Sequence, residues 1–106
     1  MTDKFFNAMG LCRRAKKLCI GHDEVKGSIR GGKAMLVLLA SDASERLEKE
    51  MNNIAENIPV IRTDATMQEI GFSIGKKSGV FSVIDNGLKD LILSTIKEDS
   101  IYGTGK

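Results

Sequence analysis

Apolar positions recur along this chain with two different periods. In residues 4–16, Phe5, Ala8, Met9, Leu11, Cys12 and Ala15 keep a 3.6-residue spacing, which predicts a helix. A short strand is expected at 18–20 and a second helix at 22–31, opened by Gly21 and turning Val25 and Ile29 inward. Gly31 and Gly32 stand where glycines commonly close a helix. The run MLVLLA, 35–40, is apolar without interruption, as in a strand covered on both faces in the middle of an α/β sheet. Ser44 suits the N-cap of a third helix over 45–56, with Leu47, Met51, Ile54 and Ala55 inward. IPVIR, 58–62, reads as a strand whose early Pro59 fits an edge or a first position. Thr66 and Glu69 form a capping box for a short helix that buries Met67 and Ile70. GVFSVI, 79–84, is a further strand, and after Asp85-Asn86-Gly87 a last helix keeps Leu88, Leu91, Ile92, Thr95 and Ile96 in register. The order α-β-α-β-α-β-α-β-α predicts an α/β fold, a mixed or parallel sheet between helix layers. A chain of 106 residues without repeat or linker is expected to form one domain, 1–98, with 99–106 as a fraying tail.

Composition narrows the classes. Apolar residues make up 42% and charged residues 28%, the balance of an ordinary soluble domain. No apolar run approaches a membrane span, and MTDKFFNAMG lacks the long apolar region of a secretory signal, so a cytoplasmic protein with no membrane partner is expected. Cys12 and Cys19 do not form C-x-x-C, and with the single His22 they cannot assemble a four-ligand metal set. Two reduced, partly buried thiols are expected, with no metal and no cofactor. The net charge of +2 is unevenly spread: residues 1–40 hold eight Lys and Arg against three acids, net +5, while 41–106 are net −3. A basic half is what a polyanion-binding face requires, although a charged run also serves as a solvated helix face.

The stretch GSIRGGKA, 27–34, nearly satisfies the phosphate-loop pattern G-x-x-x-x-G-K-[ST], failing at Ala34. A phosphate loop follows a strand and opens a helix, so that amides and helix dipole meet the phosphates. Here the glycines close a helix and Lys33 precedes a strand, so these glycines read as a C-cap and turn. With no nucleophile–base pair elsewhere, the chain reads as a non-enzyme.

The other end of the same helix offers more. GHDEVK, 21–26, sets Asp23 and Glu24 in the first turn, where acids ordinarily complement the helix dipole. A second reading also fits: carboxylates there can accept hydrogen bonds from the imino and amino groups of a guanine that is unpaired or in a non-Watson–Crick pair. Regular A-form RNA hides those edges, so such readout needs a bulge or distorted pairs.

The run MGLCRRAKKLCIGHDEVKGSIRGGKAMLVLLASDAS, completed by IPVIRTDATMQEIGFSIGKKSGVFSVIDNG, resembles the kink-turn RNA-binding ribosomal-protein superfamily of L-seven-Ae, L-thirty-e, S-twelve-e and Gadd-like members. The nearest likeness is to its small bacterial YlxQ-like branch. The segments G-x-[ND]-E-V, K-A-x-L-V-x-x-A-x-D-A-S and E-[IL]-G-x-x-[IL]-G-K follow in order, and the resemblance covers about residues 4–93. It implies a three-layer α-β-α sandwich around a four-stranded mixed sheet. It also implies binding to a kink-turn, a helix with a short bulge followed by sheared G·A pairs. By position the guanine contacts fall to Asp23 and Glu24, with Gly21 making the turn. The family's lysine one helical turn on falls at Gly27, leaving Lys26 or Arg30 to replace it. The loop that meets the bulged nucleotides falls at Lys76, Lys77, Ser78 and Gly79, which is basic and polar here but apolar in the strongest kink-turn binders. Where the family has Asn, Asp23 only accepts hydrogen bonds and adds charge.

The expectation from residues and resemblance together is a monomeric RNA-binding protein, ribosomal or ribosome-associated, whose partner is a kink-turn or related bulged helix such as one in ribosomal RNA. Arg13, Arg14, Lys16, Lys17, Lys26, Arg30, Lys33, Lys76 and Lys77 are expected on one face, lowering the repulsion between two backbones folded together. His22 is either a phosphate or sugar contact or a plain surface histidine. The alternative, a protein-interaction module of the same fold, is one that Gadd-like relatives illustrate.

Overall fold

The computed structural model describes the backbone of residues 3–104 and the side chains of residues 3–96. Side chains of the expected tail, 99–106, lie outside the described residues. Nine elements follow one another: α1 (Asp3–Arg14), β1 (Leu18–Ile20), α2 (His22–Arg30), β2 (Leu36–Leu39), α3 (Glu45–Ile54), β3 (Val60–Arg62), α4 (Met67–Ile74), β4 (Val80–Val83) and α5 (Asn86–Thr104). This is the expected alternation, with most ends drawn in by one or two residues.

The sheet order is β1-β4-β2-β3. β4 runs antiparallel to both β1 and β2, while β2 and β3 are parallel, so the sheet is mixed. Leu18 of β1 and Leu36 of β2 both face Val83 at the end of β4. The starts of β1 and β2 therefore share one end of the sheet, and the segments following β1, β2 and β3 share the other with the start of β4.

Strand alternation divides the interior into two cores. Leu36, Leu38, Phe81 and Val83 point to one face and pack with Phe5, Met9 and Cys12 of α1, Ile70 and Ile74 of α4 and Ile92 of α5. Val37, Leu39 and Val80 point to the other, against Val25 of α2 and Met51 of α3. The result is an α-β-α sandwich, and it explains why β2 is apolar throughout: all four of its residues are buried. β3, after Pro59, is an edge strand of intermediate exposure, as its proline implied. Ser82 of β4 faces the second core and would be a buried polar orphan, but its hydroxyl lies 2.7 Å from that of Ser28, which donates to the Val25 carbonyl. On α1 the inward stripe is Phe5, Ala8, Met9 and Cys12, while Leu11 is 42% exposed.

Side chains fix the helix starts. The Thr66–Glu69 capping box forms in full, and Asp42 accepts the Met67 amide at 2.9 Å. Ser44 accepts the Leu47 amide at 3.1 Å. Each such cap is worth about 1 kcal/mol. Arg62 clamps the turn after β2, donating to the carbonyls of Ser41 and Ala43 at 3.0 and 2.7 Å and pairing with Glu48 at 2.7 Å.

Two helices end in the same way. In α2, Gly32 takes φ +72°, its amide donates to Ile29 and the Lys33 amide donates to Ser28. These are the crossed bonds of a Schellman motif, so the phosphate-loop lookalike is a helix terminator, as its order implied. α1 closes identically with Lys16 at φ +61°, its amide donating to Arg13 and that of Lys17 to Cys12. A lysine there carries strain that glycine would not.

Candidate nucleic-acid interface

β1 ends at Ile20, and the chain must reverse sharply to begin α2. Gly21 does this with φ +96° and ψ 162°, a region essentially closed to residues with a Cβ, and its amide donates to the Val80 carbonyl at 3.0 Å. That bond ties the helix start to the start of β4. No side chain caps α2. Glu24 instead reaches back past the N-cap and accepts the Ile20 amide on Oε1 at 3.2 Å, occupying a donor on the edge strand. Its Oε2 has no partner among the described residues. Asp23 is fully exposed, its Oδ1 3.6 Å from His22 Nδ1. Both acids thus face solvent rather than the interior.

The loop between α4 and β4 comes up beside them. α4 ends at Gly75 in the left-handed conformation (φ +82°), and Ser78 braces the loop through paired hydrogen bonds with the Val80 backbone, 3.2 and 3.3 Å. A Cβ added at Gly79 would stand 3.5 Å from Ala43 and 3.6 Å from Leu47 and Met67. Lys76 and Lys77 are exposed, and neither has a protein partner among the described residues. The outcome is one shallow cleft lined by Ile20, Gly21, His22, Asp23, Glu24, Lys76, Lys77 and Ser78. Residues more than fifty positions apart in sequence meet here because β1 and β4 are neighbours.

The remaining expected residues are dispersed. Lys26 pairs with Glu50 Oε2 of α3 at 3.4 Å, and His22 Nε2 lies 2.9 Å from Glu50 Oε1. The hydrogen bond from His22, then its charge and those of Lys26, holds the Glu50 carboxyl below the usual carboxylate range. His22 is thus an exposed histidine tethered to Glu50. Arg13 donates to the Ile74 carbonyl and finishes the end of α4. Arg14 runs along α1 beside Gly10. Lys16 and Lys17 precede β1, and Arg30 and Lys33 precede β2, so these four stand at the far end of the sheet from Gly21. The expected basic residues are therefore spread over both ends of the sheet, with Arg13, Arg14 and Lys26 placed by contacts of their own. α2 alone, at about 1.5 Å per residue, holds its two ends some 12 Å apart.

Glu50 was not singled out by the sequence, because its partners are 28 and 24 positions away and nothing local marks them. Among the described residues no group of three His, Cys, Asp or Glu side chains is arranged to hold a metal ion, and no helix is long and apolar enough to cross a membrane. Burial, followed by the Asp85 charge, pushes the Cys12 thiol up to about 11, leaving it unreactive at neutral pH.

The chain matches the model of the ribosomal protein L7Ae/L30e/S12e/Gadd45 family over residues 3–92. It is 36% identical over 85 residues to the RNA-binding protein YlxQ of Enterococcus faecium, covering 79% of this chain and 82% of that one. With the RNA-binding protein YlxQ of Bacillus subtilis (strain 168) it is 32% identical over 96 residues, 88% and 95% of the two chains. Among solved structures it is similar to a protein with unknown function from Bacillus halodurans C, with TM-score 0.84, 29% identity and coverage of 91% and 99%. The Giardia lamblia 15.5kD RNA binding protein shares the fold, with TM-score 0.70 at 18% identity over 90% and 83% of the chains. The mixed sheet, the glycine-opened α2, the capped turn after β2 and the family match lead to one assignment: this chain belongs to the ribosomal protein L7Ae/L30e/S12e/Gadd45 family, in its YlxQ-like branch.

Proposed function

We propose that this chain is a non-catalytic, cytoplasmic RNA-binding protein, ribosomal or ribosome-associated, that recognises a kink-turn or a related bulged helix. The observation that carries the reading is the cleft where exposed Asp23 and Glu24 stand beside two unpaired lysines, Lys76 and Lys77. A kink-turn crowds two phosphate backbones and exposes the edges of sheared guanines. In this reading the carboxylates accept from guanine imino and amino groups, the unpartnered Glu24 Oε2 foremost. The lysines neutralise the crowded phosphates. The start of α2, uncapped by any side chain, contributes amides and positive dipole potential. Binding the bent form more tightly shifts the RNA population towards it. No bond is made or broken.

The test is the affinity of the unsubstituted protein for a kink-turn and for a plain duplex of equal length, across a salt series. Preference for the kink-turn is expected, with log K falling by about 0.9 for each phosphate contact on a duplex. Equal affinity for both RNAs sinks the specific reading. Binding only to a protein partner, with little response to salt, favours the interaction-module alternative.

A further inference from the structure

α4 carries a phenylalanine that neither core uses. Phe72 is 83% exposed, while Ile70 and Ile74 of the same helix are buried. Its ring lines a shallow groove with Gln68, Gly71, Gly75, Lys76 and Lys77. Phe72 supplies a π face with no aromatic contact among the described residues. Gln68 lies one helical turn earlier on the same side of α4, and its amide both donates and accepts. Lys76 and Lys77 supply two cations without a carboxylate partner among the described residues, and no acid lines the groove. The two glycines keep the floor low; at Gly71 the Lys77 backbone comes close enough that an added Cβ would stand 3.5 Å from the Lys77 Cα. Lys76 and Lys77 also line the cleft at the start of α2, so groove and cleft adjoin at these two lysines.

We propose that Phe72 is a stacking platform for one unpaired base of the RNA seated in that cleft, with Gln68 at the base edge and Lys76 and Lys77 on the flanking phosphates. The inference rests on the RNA-binding reading above. An exposed phenyl ring alone would equally suit an apolar protein anchor. The flanking unpaired lysines decide between the two, because an unpaired nucleotide carries both an aromatic face and a phosphate, matching both halves of the groove. Base–aromatic stacking tolerates any base, since every base has a π face, and a sharply bent RNA provides unpaired bases free to splay outward.

The experiment uses the full chain, a kink-turn RNA carrying 2-aminopurine at an unpaired position of the bulge, and the same RNA made abasic there. Phe72→Ala is expected to weaken binding about tenfold and to abolish quenching of the 2-aminopurine on binding, whereas Phe72→Trp keeps both. The unsubstituted chain should lose a similar factor on the abasic RNA, where Phe72→Ala costs nothing further. Exposure of the ring means that neither variant disturbs a core. If Phe72→Ala binds and quenches like the unsubstituted chain while Lys76→Ala/Lys77→Ala binds more weakly, the stacking inference is overturned and the RNA reading stands. If the unsubstituted chain shows no salt-dependent RNA binding, both are overturned.

Discussion

Two cations stand at one end of the sheet and four at the other, and their surroundings differ. At the end where β1 stops and β4 starts, Lys76 and Lys77 share a cleft with two acids, and the backbone around them is pinned by the Gly21–Val80 and Ser78–Val80 bonds. At the other end, Lys16, Lys17, Arg30 and Lys33 stand around two Schellman turns, and the nearby Asp85 accepts the Leu88 amide at 2.9 Å as it opens α5. Cations alone attract any polyanion, and selectivity needs acceptors fixed where a base edge can meet them. In the proposed function the first end is therefore the reader and the second a source of general attraction.

The sharpest way to break the contrast is to remove the reader. Glu24→Ala is expected to erase the preference for a kink-turn over plain duplex, about tenfold or more, while affinity for the duplex stays put. Filter binding with both RNAs measures this. Glu24→Gln, which still accepts the Ile20 amide, separates readout from damage to the edge strand.

Next in size is a matched pair of double substitutions. Lys76→Ala/Lys77→Ala should weaken both RNAs alike, on the order of tenfold, and lower the salt slope by about two. Lys16→Ala/Lys17→Ala at the far end should change either affinity by less than about threefold. Equal losses from the two pairs would erase the distinction between the ends.

Lys16→Gly relieves the left-handed lysine and is expected to stabilise the fold by about 1 kcal/mol in urea unfolding, with RNA preference unchanged. Its counterpart Gly32→Ala, at φ +72°, should destabilise by a similar amount.

The smallest effect concerns Glu50. Its carboxyl is depressed on folding, so its contacts with His22 and Lys26 stabilise above the ordinary carboxylate range and are lost as pH falls through the lower folded value. Glu50→Gln should flatten that acid limb of the stability curve slightly and leave neutral pH nearly unaffected. It also releases His22 and Lys26 beside the cleft, so a small gain in RNA affinity at neutral pH is expected.

Much was legible in the residues because it is local. Periodicity set the type and order of every element. The Thr66–Glu69 box and Ser44 announced helix starts, and the glycines at 31 and 32 announced an end, because a cap is a bond between residues three to six apart. The end of α1 was less legible, since Lys16 occupies a position that glycine usually marks. The run MLVLLA correctly implied a central strand, since only burial on both faces favours so unbroken an apolar stretch.

The sequence by itself determined an alternating α/β chain, a glycine-opened second helix with two acids in its first turn, and a surplus of cations in the first forty residues. Tertiary structure decided which of those cations stand near the acids. Pairing of β1 with β4 brought Lys76 and Lys77 to them and left Lys16, Lys17, Arg30 and Lys33 a sheet's length away, while packing of α2 and α3 on one face of the sheet drew Lys26 and His22 to Glu50. Local bonds are written into neighbouring residues, whereas proximity across the sheet follows from strand order and direction, which no short stretch of chain encodes.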